Sequence, residues 1–406
     1  MKLKMTLKWS VGTMLGKILL ILGLGALALL GTGLAQNAQD DMVSLGKAIF
    51  FDSGLSLPPG QSCASCHDPQ AGFANPETGL PVSQGAIQRR YGNRNAPSAA
   101  YAMFSPELHY DPTMRPGIME GMYVGGLFWD GRVNTLEDQA KAPFLNPLEM
   151  HNPDKITVVL AVRRSDYAGL FKEIFGQKSL EDIDTAYEFI AQAIAAYERS
   201  PEVNPFTSKY DYWKAGQAEL TESEMRGYML FTNTTMMGAK CANCHSVSSD
   251  ESRFPSLFTN FGHQNLGVPR NPDLPFYDLP ASLNPDGANY IDRGLGDFLR
   301  SAGFPEEQAA KEDGKFKIPS LRNCAVTAPY EHNGVFETLT EVVMFNNTRD
   351  VPGAGWPPPE VPENVHRHMP PMLRTFGQLG LTDQQVDDIV AFLHTLTDGF
   401  RRPGDA

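Results

Sequence analysis

Basic residues and strand-like alternation are both in short supply in this chain of 406 residues. Lysine and arginine number 34 against 47 acidic residues, which leaves a formal net charge of −13 at pH 7. A surface of that sign argues against nucleic acid as a partner, and it suits a small basic protein better. No stretch alternates polar and apolar residues for long, so the pattern favours helices over sheets.

Cysteine is scarce as well, and its placement is the most informative feature of the chain. Of five cysteines, four fall in two copies of a Cys-x-x-Cys-His motif, which comprise Cys63, Cys66 and His67, and Cys241, Cys244 and His245. The fifth, Cys324, lies among apolar residues, where we expect a buried and inert thiol.

The repeated motif is typical of covalent haem attachment. In each copy the two cysteines would form thioethers to the vinyl groups of one haem, and the histidine, His67 or His245, would ligate its iron. One copy alone could be a redox-active cysteine pair that happens to precede histidine. Two copies that use nearly all the cysteine predict two covalently bound haem c groups.

The N-terminus predicts export. Lysines precede an apolar run over 18–30, and the small residues Gly33 and Ala35 suit a cleavage site. We therefore expect a signal peptide over 1–35 and a periplasmic protein, because bacteria attach haem c outside the cytoplasm. The alternative is an uncleaved inner-membrane anchor, since the apolar stretch could nearly span a bilayer. Cleavage would remove four lysines and no acid, and would make the protein more acidic.

Helix signals recur along the rest of the chain. Asn134-Thr135 predicts the start of a helix over 136–142, and the segment 181–199 has the pattern of a long helix. Thr221 and Thr382 each open a capping-box pattern before an apolar stripe. Loops rich in proline and glycine separate these segments, at 53–60, 75–98, 265–288 and 351–371.

These patterns predict a mainly α fold made of two cytochrome c-like haem domains with long loops. We expect one domain for each haem. The first would cover 36–200 and the second 201–406, with a linker near Ser200-Pro201.

Two further segments carry a family resemblance. One is Phe128-Trp129-Asp130-Gly131-Arg132, followed by Gln139, Pro143 and Glu149; the other is 318–323 together with 327–332. With two haem motifs in this order, the chain resembles the bacterial dihaem cytochrome c peroxidase family, including its MauG-like branch. The resemblance covers nearly the whole chain after the signal segment.

The resemblance implies roles around the first haem, which would be the one that reacts with peroxide. Glu149 matches the distal acid, Gln139 its polar neighbour, Pro143 the wall of the pocket, and Trp129 the tryptophan between the haems. Chemistry agrees with these roles. A carboxylate whose pKa is raised by desolvation can move a proton between the two peroxide oxygens. The π-system of tryptophan suits an electron relay.

The resemblance also implies one calcium ion between the domains. Asn95 matches its side-chain ligand, and Thr327 and Pro329 match its backbone carbonyl ligands, which suit calcium. Taken alone, an asparagine in a turn would cap the backbone. By the same analogy Arg322 and His332 would lie near the second haem, where Arg322 would pair with a haem propionate and His332 could equally be a core histidine.

The chain departs from the family at the first haem. Ordinary members place a histidine in the loop before the Arg-Asn-x-Pro segment, and this histidine blocks the peroxide-reacting iron until the other haem is reduced. The corresponding loop over 79–90 contains no histidine here. We therefore expect the first haem to be open to peroxide at rest. The alternative blocker is His109, the only histidine between His67 and Trp129.

A second departure concerns the sixth ligand of the second haem. The family places methionine or tyrosine eight residues after the threonine of a Thr-Leu-x-x-Val-Val-like segment. Here that threonine is Thr338, and the position eight residues later holds Asn346, a poor iron ligand. Alternatives are Met344, or Met369, Met372, His366 and His368 in the loop that follows, or an iron whose sixth position is open or bound by water. MauG also has a tryptophan two residues before its second haem motif, where this chain has Ala239.

Three functions follow as hypotheses. The first is reduction of hydrogen peroxide with electrons from a small cytochrome c or cupredoxin, without reductive activation. The second is a MauG-like oxidase that uses peroxide to oxidise a partner protein. The third is a dihaem electron-transfer protein with no catalytic role. Members of the family are often dimers, so the resemblance also implies a homodimer.

Overall fold

The computed structural model describes residues 38–76, 79–114, 121–235, 238–253, 255–366, 376–402 and 404. The predicted signal segment over 1–35 lies outside these residues. Within them, no helix combines the length and the apolar character that a membrane crossing requires.

Helices dominate the regular structure, which confirms the mainly α prediction. They are α1 (38–50), α2 (Leu136–Leu145), α3 (Lys155–Arg164), α4 (Ala168–Phe175), α5 (Ile183–Glu198), α6 (Lys209–Lys214), α7 (Glu222–Thr232), α8 (Leu295–Ser301), α9 (Glu306–Ala310), α10 (Leu339–Thr348) and α11 (Asp383–His394). The described strands are short: β1 (His109–Asp111) pairs antiparallel with β2 (Met122–Val124), and β3 (His263–Gln264) pairs antiparallel with β4 (Phe316–Lys317).

The predicted helix starts are confirmed by their caps. The side chain of Thr135 accepts a hydrogen bond from the backbone N–H of Asp138 at the start of α2. Thr221 and Thr382 form reciprocal capping boxes at the starts of α7 and α11. Each threonine oxygen satisfies a backbone donor that has no partner within its own helix, and this fixes where the helix begins.

Two clusters of buried apolar side chains organise the molecule. The first is drawn from residues between Leu45 and Val203 and includes α1, α3 and α5. The second is drawn from residues between Tyr210 and Leu396 and includes α7, α10 and α11. The clusters fall on either side of the boundary that we expect near residue 200, and the division into two domains stays a prediction.

Candidate active site

The first haem motif forms a single tight turn. Residues Cys63–Ser65 make one turn of 3-10 helix, and the N–H of His67 donates to the carbonyl of Cys63 at 2.9 Å. His67 Nδ1 lies 3.1 Å from the carbonyl of Phe73, to which it can donate. Burial lowers the pKa of His67, and a neutral ring held through Nδ1 is the form in which Nε2 could ligate iron.

The second motif repeats this geometry. Its turn is Cys241–Asn243, and the N–H of His245 donates to the carbonyl of Cys241 at 2.9 Å. His245 Nδ1 lies 2.9 Å from the carbonyl of Phe258. Burial lowers the pKa of His245 to about 4. Both histidines are therefore neutral and held in the orientation that a proximal iron ligand needs.

The thiols of these motifs lack the character of redox-active cysteines. Burial raises the pKa of Cys241 to about 12 and that of Cys244 to about 11, and it raises the pKa of Cys63 as well. Reactive cysteine pairs instead have lowered pKa values. Cys324 is buried, as expected, and its pKa is raised to about 12.

A large cavity opens beside the first motif. Its empty space, together with the solvent at its mouth, totals about 2170 Å³, and Cys63, Cys66 and His67 are among the residues that line it. The space, the neutral histidine and the two thiols together fit a covalently attached haem.

The predicted distal acid lines the same cavity as His67. Glu149 follows the end of α2 in a turn, where its Oε1 accepts a hydrogen bond from Asn146 Nδ2 at 2.7 Å. Removal from water raises the pKa of Glu149, while the positive charge of Arg132 and the bond from Asn146 oppose that rise. The carboxyl thus lies on the cavity with a raised pKa, as a group that transfers protons requires.

Helix α2 supplies the neighbours that the resemblance implies. Gln139 and Pro143 are four residues apart, so they share one face of the helix, and both line the cavity. Leu136 and Ala140 line it from the same helix.

Trp129 joins two parts of the chain that are distant in sequence. Its Nε1 donates to the carbonyl of Asn95 at 2.9 Å, and its own carbonyl accepts from the N–H of Lys317 on β4 at 2.8 Å. Trp129 also lines the cavity.

The residues expected at calcium lie around the same cavity, which Asn95, Thr327 and Pro329 all line. Asn95 is buried, and its Nδ2 donates to the carbonyl of Pro81 at 3.1 Å. That bond leaves the side-chain oxygen as the atom for a cation. In the described part of the chain no three His, Cys, Asp or Glu side chains gather as a metal site, so a cation here would depend on carbonyl and amide oxygens.

The loop without histidine packs directly against the distal acid. The N–H of Ala86 donates to the carbonyl of Glu149 at 2.8 Å. A Cβ on Gly85 would lie 2.2 Å from the carbonyl oxygen of Leu148, so only glycine allows this approach. His109, the alternative blocker, lies exposed on β1 and is not among the residues that line the cavity. The alternative blocker is therefore not supported by the geometry.

Arg322 is held by protein partners beside the cavity, which it also lines. Its guanidinium is fully buried and donates to both oxygens of Asp211, at 3.0 and 2.8 Å, and to the carbonyl of Ser256 at 2.7 Å. These bonds use three of its five N–H donors, so pairing of Arg322 with a haem propionate stays a prediction. The ring of His332 is buried and stacks on Phe316 with 3.6 Å between ring centroids, and neither ring nitrogen has a hydrogen-bond partner among the described residues. Both roles considered for His332 therefore stay predictions.

Helix α10 carries two of the positions considered for the sixth ligand of the second haem. Met344 packs against the second apolar cluster, and the side-chain oxygen of Asn346 is buried with no hydrogen-bond partner in the described residues. The two side chains are two residues apart on a helix, so they point in different directions. His366 is described and burial lowers its pKa; Met369, Met372 and His368 lie outside the described residues.

The cavity is also lined by charged side chains to which the sequence assigned no role, among them Arg132, Glu198 and Lys317. Lys317 Nζ donates to the carbonyl of Gly126 at 2.6 Å, and burial lowers its pKa to about 8. Arg132 and Lys317 adjoin the two segments that carry the resemblance, which was an available signal. Glu198 ends an amphipathic helix, and nothing in its spacing distinguishes it from a surface acid.

Comparison with known proteins agrees with this site. Residues 40–219 match the family described as di-haem cytochrome c peroxidase. The chain is 38% identical over 378 residues to the methylamine utilization protein MauG of Paracoccus denitrificans, covering 90% of each chain. It is 30% identical to the cytochrome-c peroxidase IdrP1 of Denitromonas iodatirespirans, covering 90% of this chain and 85% of that one.

Solved structures give the same result. The diheme peroxidase BthA of Burkholderia thailandensis superposes with a TM-score of 0.76 at 36% identity, covering 88% of this chain and 86% of that one. A MauG-like protein associated with microbial copper homeostasis gives 0.60 at 30% identity, covering 88% and 90%. The chain belongs to the dihaem cytochrome c peroxidase and MauG family, which confirms the resemblance and implies two haem c groups.

Proposed function

We propose that this protein reduces hydrogen peroxide to water in the periplasm, with electrons from a small cytochrome c or cupredoxin. The observation that carries the proposal is the position of Glu149, an acid of raised pKa on the cavity that Cys63 and His67 also line. A haem bound there supplies the iron at which the peroxide O–O bond is cleaved.

Glu149 has two proton transfers to perform. Its carboxylate takes a proton from one peroxide oxygen and returns it to the other, which then leaves as water. The full reaction consumes one hydrogen peroxide, two electrons and two protons, and it yields two waters. Asn146 holds the carboxyl in place through its 2.7 Å hydrogen bond, and Gln139 offers a polar contact on the same cavity.

Trp129 is the proposed electron relay between the two haems. It lines the first cavity, and its backbone bonds to β4, which belongs to the C-terminal half of the chain. The hydrogen bond from its indole to Asn95 fixes the ring. A fixed aromatic ring between two redox groups shortens the distance that each electron must cross.

The first haem would be open at rest, because the loop over 79–90 packs beside Glu149 without a histidine. Electron paramagnetic resonance of the fully oxidised protein tests this directly. One equivalent of peroxide, added without reductant, should change the ferric signals at once. If the signals change only after one haem has been reduced, a side chain blocks the site and the proposal of an open haem is wrong.

A MauG-like oxidase is the second candidate, and the identity of 38% to MauG and the missing histidine favour it. Two residues count against it: Ala239, which is buried, stands where MauG has a tryptophan, and Asn346 stands where MauG has a tyrosine. The two activities differ in the electron donor that returns the protein to its resting state after it has reacted with peroxide. A peroxidase would oxidise a reduced small cytochrome c through many turnovers. An oxidase of the MauG type would turn over only with a partner protein.

A further inference from the structure

Glu198 is a buried acid that the peroxide chemistry above does not use. It is the last residue of α5 and only 6% exposed, and it lines the cavity of the first haem together with Glu149. Its Oε2 is buried and has no hydrogen-bond partner among the residues that the structure describes.

An ionised carboxylate in this position would be costly. Burial without a partner disfavours the charged form, and the C-terminal end of a helix carries partial negative charge, which disfavours it further. In agreement, burial raises the pKa of Glu198 to about 8. The group is therefore neutral at pH 7, and its hydroxyl needs an acceptor, for which the cavity provides the space.

Two charged side chains act on Glu198 from outside the cavity. Arg199 and Glu137 form an ion pair at 2.7 Å; the arginine lowers the pKa of Glu198 and the glutamate raises it. Four residues after Glu198, Glu202 pairs with Lys47 of α1 at 2.7 Å. These four charges are partly exposed and paired.

Three carboxyl side chains line this cavity: Glu198, Glu149 and Glu331. The charges of Glu198 and of Glu149 each raise the pKa of Cys63, so both lie within electrostatic reach of that residue. Burial raises the pKa of Glu331 as well. Attachment of haem converts Cys63 into a thioether that no longer titrates, which leaves the three carboxyl groups and the haem propionates.

We propose that Glu198 couples the redox state of the first haem to the uptake of one proton. Addition of an electron to a haem in a low-dielectric cavity raises the proton affinity of a neighbouring carboxyl. Above about pH 8, where Glu198 is ionised in the oxidised protein, a proton therefore enters with the electron, and loss of the electron releases it to the cavity. Above that pH the coupling supplies protons at the site where peroxide reduction consumes them; that use rests on the proposed function, whereas the coupling itself does not.

The sign of the effect follows from the charge. When Glu198 ionises, a negative charge beside the iron disfavours the reduced haem. The reduction potential of the first haem should therefore fall as the pH rises through the pKa of Glu198. A glutamine at this position has no proton to lose and should remove the pH dependence.

Spectroelectrochemical titration of the holoprotein without peroxide tests the proposal. The titration should cover about pH 6 to 9, an interval that brackets a pKa of about 8. In the unaltered protein the potential of the first haem should fall as the pH rises through this interval. Glu198→Gln should lose this dependence, and Glu198→Asp should keep it with a shifted midpoint. The matched control Glu202→Gln, which removes a nearby but exposed carboxyl, should behave like the unaltered protein.

Infrared difference spectra between the reduced and oxidised protein give a second readout. A protonated carboxyl band that appears on reduction should be absent from Glu198→Gln. If Glu198→Gln keeps both the pH dependence and the band, the proposal is wrong, and Glu149, Glu331 or a propionate carries the proton. If Glu198→Gln fails to bind haem, an unshifted midpoint in Glu198→Asp overturns the proposal instead. Since no peroxide is used, either result is independent of whether the protein is a peroxidase.

Discussion

The indole Nε1 of Trp129 donates to the carbonyl oxygen of Asn95 at 2.9 Å. This bond ties the proposed relay to the residue that would hold calcium, because the side-chain oxygen of Asn95 remains available to a cation. A change at either residue is therefore expected to affect the other.

Replacement of Trp129 with phenylalanine should slow electron transfer between the haems. The substitution removes the indole hydrogen bond and raises the activation barrier for electron transfer through the ring. An increase of about 1.4 kcal/mol in this barrier would lower the rate tenfold. The measurement is the rate at which the second haem, reduced beforehand, is reoxidised after addition of peroxide.

A matched control is Trp356→Phe. Trp356 also donates one indole hydrogen bond at 2.9 Å, to Thr348 Oγ1, but it packs against Phe336 and Phe345 in the C-terminal half of the chain. The Trp356→Phe variant should leave the rate of electron transfer between the haems unchanged. Equal rates in both variants would remove Trp129 from the electron route.

Glu149→Gln should slow the reaction with peroxide by roughly 10²- to 10⁴-fold, the usual contribution of a general acid–base group. Glutamine keeps the size of the side chain but cannot accept the peroxide proton. Stopped-flow absorbance of the oxidised protein after addition of peroxide gives the rate. Glu173→Gln, at an exposed position of α4, is the control and should have no effect. An electron-transfer protein without catalytic function would be equally indifferent to both changes.

Arg132→Gln should shift the pH dependence of that same reaction. The positive charge of Arg132 lowers the pKa of Glu149, so its removal raises this pKa. Glu149 accepts a proton only when ionised, and the rate therefore rises with pH through the pKa. We expect the midpoint of this rise to move to higher pH in Arg132→Gln. Arg164→Gln, an exposed change at the end of α3, should leave the midpoint in place.

The ion pair of Arg94 with Asp292 should be a large contributor to stability. Asp292 is buried and accepts from Arg94 Nε at 2.6 Å, and this guanidinium lowers the pKa of Asp292 to about 2 although burial alone would raise it. Asp292→Asn leaves Arg94 with one carboxylate partner, Asp130 at 2.6 Å, and so weakens a buried charge network. It should lower the free energy of unfolding at pH 7 by about 2 kcal/mol. Urea denaturation measures this difference.

The contribution of Asp292 depends on pH with a defined sign. Because its folded pKa is lower than the ordinary value near 4, the stabilisation is fully present above about pH 4 and is lost as the pH falls toward 2. The gap between the unaltered protein and Asp292→Asn should narrow over that interval. The control Asp184→Asn breaks an exposed pair with Lys155 and should cost less than about 1 kcal/mol. A gap that stays constant down to pH 2 would contradict the assignment.

The parts of the fold that depend on local chemistry could be predicted from the sequence. Thr135, Thr221 and Thr382 each cap the helix that their spacing predicts, because a cap needs only residues within one turn. The haem motifs are local in the same sense, since three side chains and one tight turn define them. The distal residues were found through the family resemblance.

What could not be predicted depends on contacts between distant segments. Arg322 pairs with Asp211, which is 111 residues away, and the local spacing of neither residue indicates this contact. Glu198 is indistinguishable from a surface acid until the cavity beside it is seen. The pKa of a group such as Lys317 depends on burial, which only the tertiary structure determines.

Introduction of histidine in the loop beside Glu149 should restore the block that this chain lacks. Ser83 lines the cavity, and its Oγ is buried with no hydrogen-bond partner among the described residues. In Ser83→His the imidazole would lie on the cavity of the first haem. If it ligates the iron, the first haem becomes six-coordinate. We expect a low-spin ferric signal and a reaction with peroxide that starts only after the second haem is reduced.

Ser83→Val separates ligation from the loss of the hydroxyl. Valine offers no ligand, so the first haem should stay open and react with peroxide at the rate of the unaltered protein. The spin state and the need for reduction should change together in Ser83→His, because one ligand causes both. A low-spin signal in a protein that still reacts at once with peroxide would show that the imidazole is displaced too easily to act as a block. Then the open resting state could not be attributed to the missing histidine alone.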